Sequence, residues 1–150
     1  MKVAVNYKRF TRLFFILVTT MLFINSCEVA KDIVGNITVS KIEGEWSCDE
    51  NSEYFKKSTT SVYSVYISPD ADNDNGVIID GFYNLGDLGV KANVSGLTIT
   101  IPQQTVEGGF TILTGSGIVS ANYKEITWSY NINIGGDAVD HVTAVYTKAK

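Results

Sequence analysis

From residue 37 onward, the chain is built from short runs in which apolar and polar residues alternate. In the run 126–134, Ile126, Trp128 and Tyr130 occupy every second position, with polar residues between them. A period of two is typical of a strand that buries one face and exposes the other to water. No segment of this part carries a sustained helical period. The pattern therefore limits the chain to an all-β fold.

Gly, Asn, Asp and Pro residues separate the runs and mark the turns between them. The runs lie close together in sequence, which favours hairpins over crossover helices. We therefore predict an all-β domain over residues 37–150, an antiparallel eight-stranded up-and-down barrel. A two-sheet β-sandwich with the same strands is the alternative. The predicted strands are 42–50, 60–68, 76–83, 88–95, 97–102, 109–119, 124–134 and 138–148.

The alternation also predicts which side chains point inward. Cys48 has the same parity as Trp46, so we expect it to be a small buried hydrophobic residue rather than a reactive thiol. In the run 109–119, we expect an inward face that starts at Phe110. The other inward residues expected on this run are Ile112, Thr114, Ser116 and Ile118. Further inward residues are expected at Leu97, Ile99, Ile101, Ile132, Ile134, Val142, Ala144 and Tyr146.

The first 26 residues have the layout of an export signal. Residues 1–12 are basic, and residues 13–24 (LFFILVTTMLFI) form an apolar run. This run is too short to span a bilayer, which takes about 20 apolar residues. Its length suits the core of a signal peptide. We predict that residues 1–26 form the signal peptide.

The end of this run resembles the lipobox of bacterial lipoproteins. Ile24 is the aliphatic residue, Ser26 the small residue and Cys27 the modified cysteine of that motif. The resemblance implies lipidation at Cys27 and a lipidated tether over 27–36. Several acyl chains would anchor it stably in a membrane. An ordinary cleaved signal with a coincidental cysteine and an uncleaved anchor are the alternatives.

The residue after the cysteine bears on location. Glu28 directly follows the cysteine. An Asp at this position looks like the signal that retains lipoproteins in the inner membrane of enteric bacteria, and this chain has Glu there instead. The resemblance therefore implies an outer-membrane protein, facing either the periplasm or the cell surface.

Charge narrows the classes of partner. From Cys27 onward the chain has 8 Lys+Arg and 16 Asp+Glu residues, a net charge of −8. A nucleic-acid partner would require a basic face, so we predict none. The same charge argues against docking on anionic lipid through side chains.

A second resemblance begins at the first predicted strand. Gly44 and Trp46 match the Gly-x-Trp motif of lipocalins and other calycins, and Ile42 precedes them. With the middle segment 96–104 and the closing pattern Thr-Ala-x-Tyr-x-Lys, the layout is similar to small lipocalin-like lipoproteins of Bacteroidota. This resemblance implies a barrel whose closed end is covered by Trp46. Lys148 is the candidate partner of that tryptophan on the last strand.

The run from Asp70 to Gly76 places acidic residues at alternate positions, as calcium loops do. Its candidate ligands are Asp70, Asp72 and Asp74. The alternative is an acidic hairpin turn, in which Asn75-Gly76 supplies the positive φ of a tight turn. We predict no other metal site and no cofactor.

No catalytic set is apparent in the sequence. His141 is the only histidine, and the adjacent Asp140 has the opposite strand parity. Gly115-Ser116-Gly117 lacks the spacing of a nucleophile elbow. We therefore predict that the protein is not an enzyme.

Aromatic residues are the remaining candidates for a site. Trp46, Trp128, Tyr130 and Tyr146 have inward parity and could line a ligand cavity or fill the core. We expect a lipid-anchored cell-envelope module that binds a small apolar or glycan ligand or serves an envelope protein. The alternative is a structural or interaction lipoprotein with a filled core and no small-molecule ligand.

Overall fold

The computed structural model describes residues 38–54, 61–86 and 88–150. These ranges contain nine strands and two short 3-10 segments, Phe82–Asn84 (η1) and Glu107–Gly109 (η2). Residues 38–42 are also helical. The strands are β1 (Gly44–Ser52), β2 (Ser61–Pro69), β3 (Gly76–Asp80), β4 (Val90–Ser95), β5 (Thr98–Ile101), β6 (Gln104–Thr105), β7 (Thr111–Val119), β8 (Glu125–Gly135) and β9 (Ala138–Lys148).

The strands form a closed antiparallel barrel. Each pairs with its neighbour in sequence from β1 to β5 and from β7 to β9. Pairing of β1 with β9 and of β5 with β7 completes a ring of eight strands. The ninth strand, β6, adds a two-residue pairing beside the start of β7. The predicted up-and-down barrel is confirmed, and the two closing pairs exclude the sandwich.

Each of the eight predicted runs overlaps a strand of the ring, and most bounds agree within two residues. The run 76–83 is too long, because β3 ends at Asp80 and the chain turns at Gly81. Gly81 has φ +80°, and a Cβ there would lie 2.8 Å from the Ser64 carbonyl oxygen. Only glycine fits this close approach. The helical residues 38–42, the 3-10 segments and β6 were not predicted.

The predicted inward face of β7 is wrong beyond Ile112. The pairing of β7 with β8 shifts register between Ile112 and Thr114, which is the signature of a β-bulge. One extra residue reverses the parity of every residue that follows it. Thr114, Ser116 and Ile118 consequently face solvent, and Gly115, Gly117 and Val119 occupy the inward positions.

The inward glycines of β7 leave room for large neighbours. A Cβ on Gly115 would lie 3.0 Å from the Cβ of Ile101. A Cβ on Gly117 would lie 2.8 Å from Cε3 of Trp128. The indole is held from other sides by Phe82 and Tyr146, with ring centroids at 6.0 and 5.5 Å. The Trp128 ring therefore occupies the space that a side chain at position 117 would need.

One end of the barrel is closed around Trp46. Its indole nitrogen donates to the Ile42 carbonyl oxygen at 2.8 Å, which ties β1 to the helical residues before it. The Lys148 ammonium lies 5.3 Å from the centroid of the Trp46 ring. It also donates to the carbonyl oxygens of Lys41 and Glu43. The candidate partner on the last strand thus contacts the tryptophan.

The predicted signal peptide 1–26 and the whole of the predicted tether 27–36, with Cys27, precede residue 38 and lie outside the described residues. Within 38–54, 61–86 and 88–150, no helix has the length and apolar character needed to cross a bilayer.

We predict that Gly117→Ala lowers the free energy of unfolding by about 1–3 kcal/mol, the usual cost of overpacking a core. The added methyl group would overlap the Trp128 ring, which its neighbours hold in place. Urea denaturation measures the change. Ser116→Ala, on the outward side of the same strand, is the control and should change stability by less than about 0.5 kcal/mol. Equal effects of the two variants would contradict this packing.

Candidate functional site

The four candidate ligand-binding aromatics lie inside the barrel. Trp46, Trp128, Tyr130 and Tyr146 have exposed fractions of 0, 1, 2 and 0%. A side chain that lined an open cavity would keep exposed surface toward it. These fractions therefore indicate that protein atoms surround all four side chains.

A glutamate lies among these aromatics. Glu50 follows Trp46 and Cys48 on the inward face of β1. The Tyr63 hydroxyl donates to the Glu50 carboxylate at 2.6 Å, and the Tyr130 hydroxyl donates to the same oxygen. Two phenols thus replace the water that a carboxylate would otherwise bind.

A second carboxylate lies toward the barrel end opposite Trp46. Asp140, at the start of β9, is fully buried. It accepts hydrogen bonds from the Ser52 hydroxyl at 2.5 Å, the Tyr83 hydroxyl at 2.7 Å and the Tyr54 backbone N–H at 2.8 Å. Tyr83 reaches it from η1 with φ +54°, a conformation that is uncommon outside glycine. Asp140 thus fastens η1 and the end of β1 to β9.

Burial and the nearby carboxylates both raise the pKa values of the interior phenols. Desolvation raises the pKa of Tyr63, Tyr83, Tyr130 and Tyr146, and the negative charge of Glu50 raises each of them further. These phenols stay protonated in the folded barrel, so they serve as hydrogen-bond donors and not as bases.

Within the part of the chain that the structure describes, two polar atoms of the barrel interior have no hydrogen bond of ordinary geometry. They are the indole nitrogen of Trp128 and the hydroxyl oxygen of Tyr146. The benzo edge of the Trp128 ring lies against Gly117, so its N–H is directed away from β7. The Tyr146 hydroxyl lies near the Cys48 thiol and makes no hydrogen bond of ordinary geometry.

Cys48 is the buried hydrophobic residue that the strand parity predicts. It is a free cysteine, fully buried between strands. Burial raises the pKa of its thiol to about 12, which suppresses the nucleophilic thiolate.

The candidate calcium loop is a hydrogen-bonded turn. The Asp70 carboxylate accepts from the Asp72 backbone N–H at 3.1 Å and lies 3.6 Å from the Lys91 ammonium. Asn73 accepts from the Asn75 N–H at 3.1 Å in the same way. Among the residues that the structure describes, no group of three or more His, Cys, Asp or Glu side chains could hold a metal ion. Asp70, Asp72 and Asp74 therefore do not converge into a site.

His141 lies on the outer wall of the barrel, on the opposite face of β9 from Asp140. Its Nδ1 hydrogen-bonds to the Asn131 side-chain oxygen at 2.6 Å. Ser116 is also outward, on the strand β7, and no contact joins it to His141. The structure does not bring these two residues together as a nucleophile and base.

Sequence analysis did not single out Glu50 or Asp140 as interior residues. The signal was present, because Glu50 shares the parity of Trp46 and Cys48, and Asp140 shares that of Val142 and Ala144. A carboxylate at an inward position of a strand predicts a buried polar network.

No protein-family model matches this chain, and no curated protein sequence matches it either.

We predict opposite results for two interior Tyr→Phe variants. Tyr130→Phe removes a donor from the Glu50 carboxylate and should lower the free energy of unfolding by about 1.5–3 kcal/mol. Tyr146→Phe, the matched control, removes a hydroxyl that has no partner and should be neutral or slightly stabilising. Denaturant titration of both measures the difference. An equal loss in Tyr146→Phe would mean that its hydroxyl is bonded.

We also predict that stability declines in alkali. In the unfolded chain, tyrosines release protons near their ordinary pKa of 10.0, whereas the buried phenols retain theirs. The unfolded state then binds fewer protons, so the free energy of unfolding is fully present below about pH 10 and falls above it. The tyrosinate absorption of the buried phenols should appear together with loss of circular dichroism. Their ionisation in a folded barrel would contradict the prediction.

Proposed function

We propose that this protein is a lipid-anchored accessory module of the bacterial cell envelope. Lipidation at Cys27 holds it at the outer membrane, and its barrel acts through its outer surface on an envelope protein. The proposal includes no chemical step, no cofactor and no nucleic-acid partner.

The observation that carries the surface role is the packing of the interior. Phe82 contacts Tyr130 with ring centroids at 4.5 Å, and Tyr83 contacts Tyr130 at 6.2 Å. These rings lie toward the barrel end opposite Trp46, where a lipocalin would admit its ligand. Because aromatic rings and the Asp140 hydrogen bonds occupy this region, binding on the outer wall requires the least rearrangement.

The anchor is supported by the sequence before the barrel. Ile24, Ser26 and Cys27 follow a short apolar run in the order of a lipobox. The other cysteine, Cys48, is buried within the barrel, where an acyl transferase has no access to it. This leaves Cys27 as the position for modification.

A small-ligand role is the second candidate, and the unpartnered donors favour it. Among the described residues, the indole nitrogen of Trp128 and the hydroxyl oxygen of Tyr146 are buried in the barrel without a hydrogen bond of ordinary geometry. A small apolar molecule or glycan with one acceptor atom would satisfy them if η1 opened. Thermal-shift screens against lipids and glycans test this role. Stabilisation of the wild type that is lost in Tyr146→Phe would support it over the surface role.

We predict that cells incorporate labelled palmitate into the wild-type protein and not into Cys27→Ser. The thioether requires the sulfur of the lipobox cysteine, so removing that sulfur removes the label. Cys48→Ala is the matched control and should label like the wild type, because Cys48 lies in the core. Gel autoradiography after immunoprecipitation measures the label. Equal labelling of Cys27→Ser would disprove the anchor.

A further inference from the structure

A groove crosses the outer wall of the barrel over β1, β9, β8 and β7. Its volume is about 440 Å³, within the range of clefts that bind small molecules or single side chains. Ser116, Ser129, Thr143 and Asn51 stand side by side along one cross-strand row of its floor. Short side chains in four adjacent strands produce the concavity. We call this feature the outer groove.

An exposed apolar row borders the floor of the outer groove. The register aligns Ile118, Thr127, Val145, Asp49 and Val62 across five strands. Ile118, Val145 and Val62 are 55, 38 and 63% exposed. Three large aliphatic side chains that are exposed to solvent in one row are typical of an interaction surface.

Negative side chains outnumber positive ones on the strands of this wall. The outward carboxylates of β1 and β8 are Glu45, Asp49 and Glu125. Among the described residues of β1, β7, β8 and β9, Lys148 is the one Lys or Arg. Its ammonium is bound at the Trp46 end by the carbonyl oxygens of Lys41 and Glu43. A complementary partner therefore brings positive charge.

We propose that the outer groove docks an extended basic segment of a partner protein, with an arginine placed against Asp49. This proposal deepens the surface role proposed above and rests on it. A guanidinium binds a carboxylate with two parallel hydrogen bonds, and its aliphatic stem packs on apolar surface. Asp49 stands between Val62 and Val145 in the apolar row, so both contacts are available at once.

A second copy of this chain is a poorer occupant. It would bring the same acidic wall against Asp49 and Glu125, and like charges disfavour such contact. The flanking apolar residues favour small aliphatic side chains beside the arginine. Side chains two positions apart share one face of an extended segment, so the expected segment carries small aliphatic residues two positions before and two positions after the arginine.

The test is a titration of the full chain in neutral detergent micelles, followed by amide chemical shifts. The probe is acetyl-Val-Ser-Arg-Ser-Val-amide, in which the valines and the arginine share one face, and the comparison peptide has glutamate in place of arginine. We expect shifts at the residues of the outer groove with the arginine peptide and none with the glutamate peptide. Asp49→Asn should weaken binding roughly three- to fivefold, which is the size of a partly exposed ion pair. Asp137→Asn, which removes an exposed charge from the β8–β9 turn, is the control and should bind like the wild type.

Three results would overturn the proposal. The first is the absence of shifts at the outer groove with the arginine peptide. The second is equal binding by Asp49→Asn and the wild type. The third is a concentration-dependent shift at the groove without peptide, which would identify a second copy as the occupant. Palmitate labelling tests the anchor independently, so a labelled chain that fails to bind the peptide disproves the groove alone.

Discussion

The four residues of β5 pair with residues 115–118 of β7, and this pairing turns an open sheet into a ring. A ring of eight strands has an interior just wide enough for side chains. The β7 side of that pair carries Gly115 and Gly117 on its inner face, which admits Ile101 and Trp128. Closure and filling are therefore linked, because larger residues on β7 would push the Trp128 ring out of the space it now occupies.

The interior combines this packing with two carboxylates. A buried charge destabilises a fold unless hydrogen bonds replace its hydration. Glu50 accepts hydrogen bonds from two phenols. Asp140 accepts hydrogen bonds from a serine hydroxyl, a tyrosine hydroxyl and a backbone N–H. These contacts join β1, β2, β8, β9 and η1 across the barrel. Polar bonds have fixed lengths and directions, so they orient strands that apolar packing alone would orient less strictly.

The strands and their inward faces were largely predictable, because alternation in β8 and β9 is nearly complete. The inner face of β7 was not, because a bulge reverses parity without a sequence signal of its own. Two of the inward residues beyond the bulge, Gly115 and Gly117, are glycines, which carry no hydrophobic pattern. The turn at Gly81 was missed for a related reason, since Phe82 and Tyr83 continue the apolar run of β3.

The candidate site was predictable only in part. Parity placed Trp46, Trp128, Tyr130 and Tyr146 in the interior. The pairing of Glu50 with Tyr130 joins residues 80 positions apart, and hydrogen bonds over that separation are not encoded in local pattern. The outer groove depends on the register of four strands, two of which, β1 and β9, lie at opposite ends of the barrel sequence.

The chain enters and leaves the barrel at one end, where Trp46 pairs with Lys148. In the lipid-anchored state proposed here, ten residues, 28–37, lie between Cys27 and residue 38. A tether of this length spans at most about 40 Å when fully extended. In that state the tether joins the barrel at its Trp46 end. The length of the tether would then limit how far from the membrane a partner could meet this barrel.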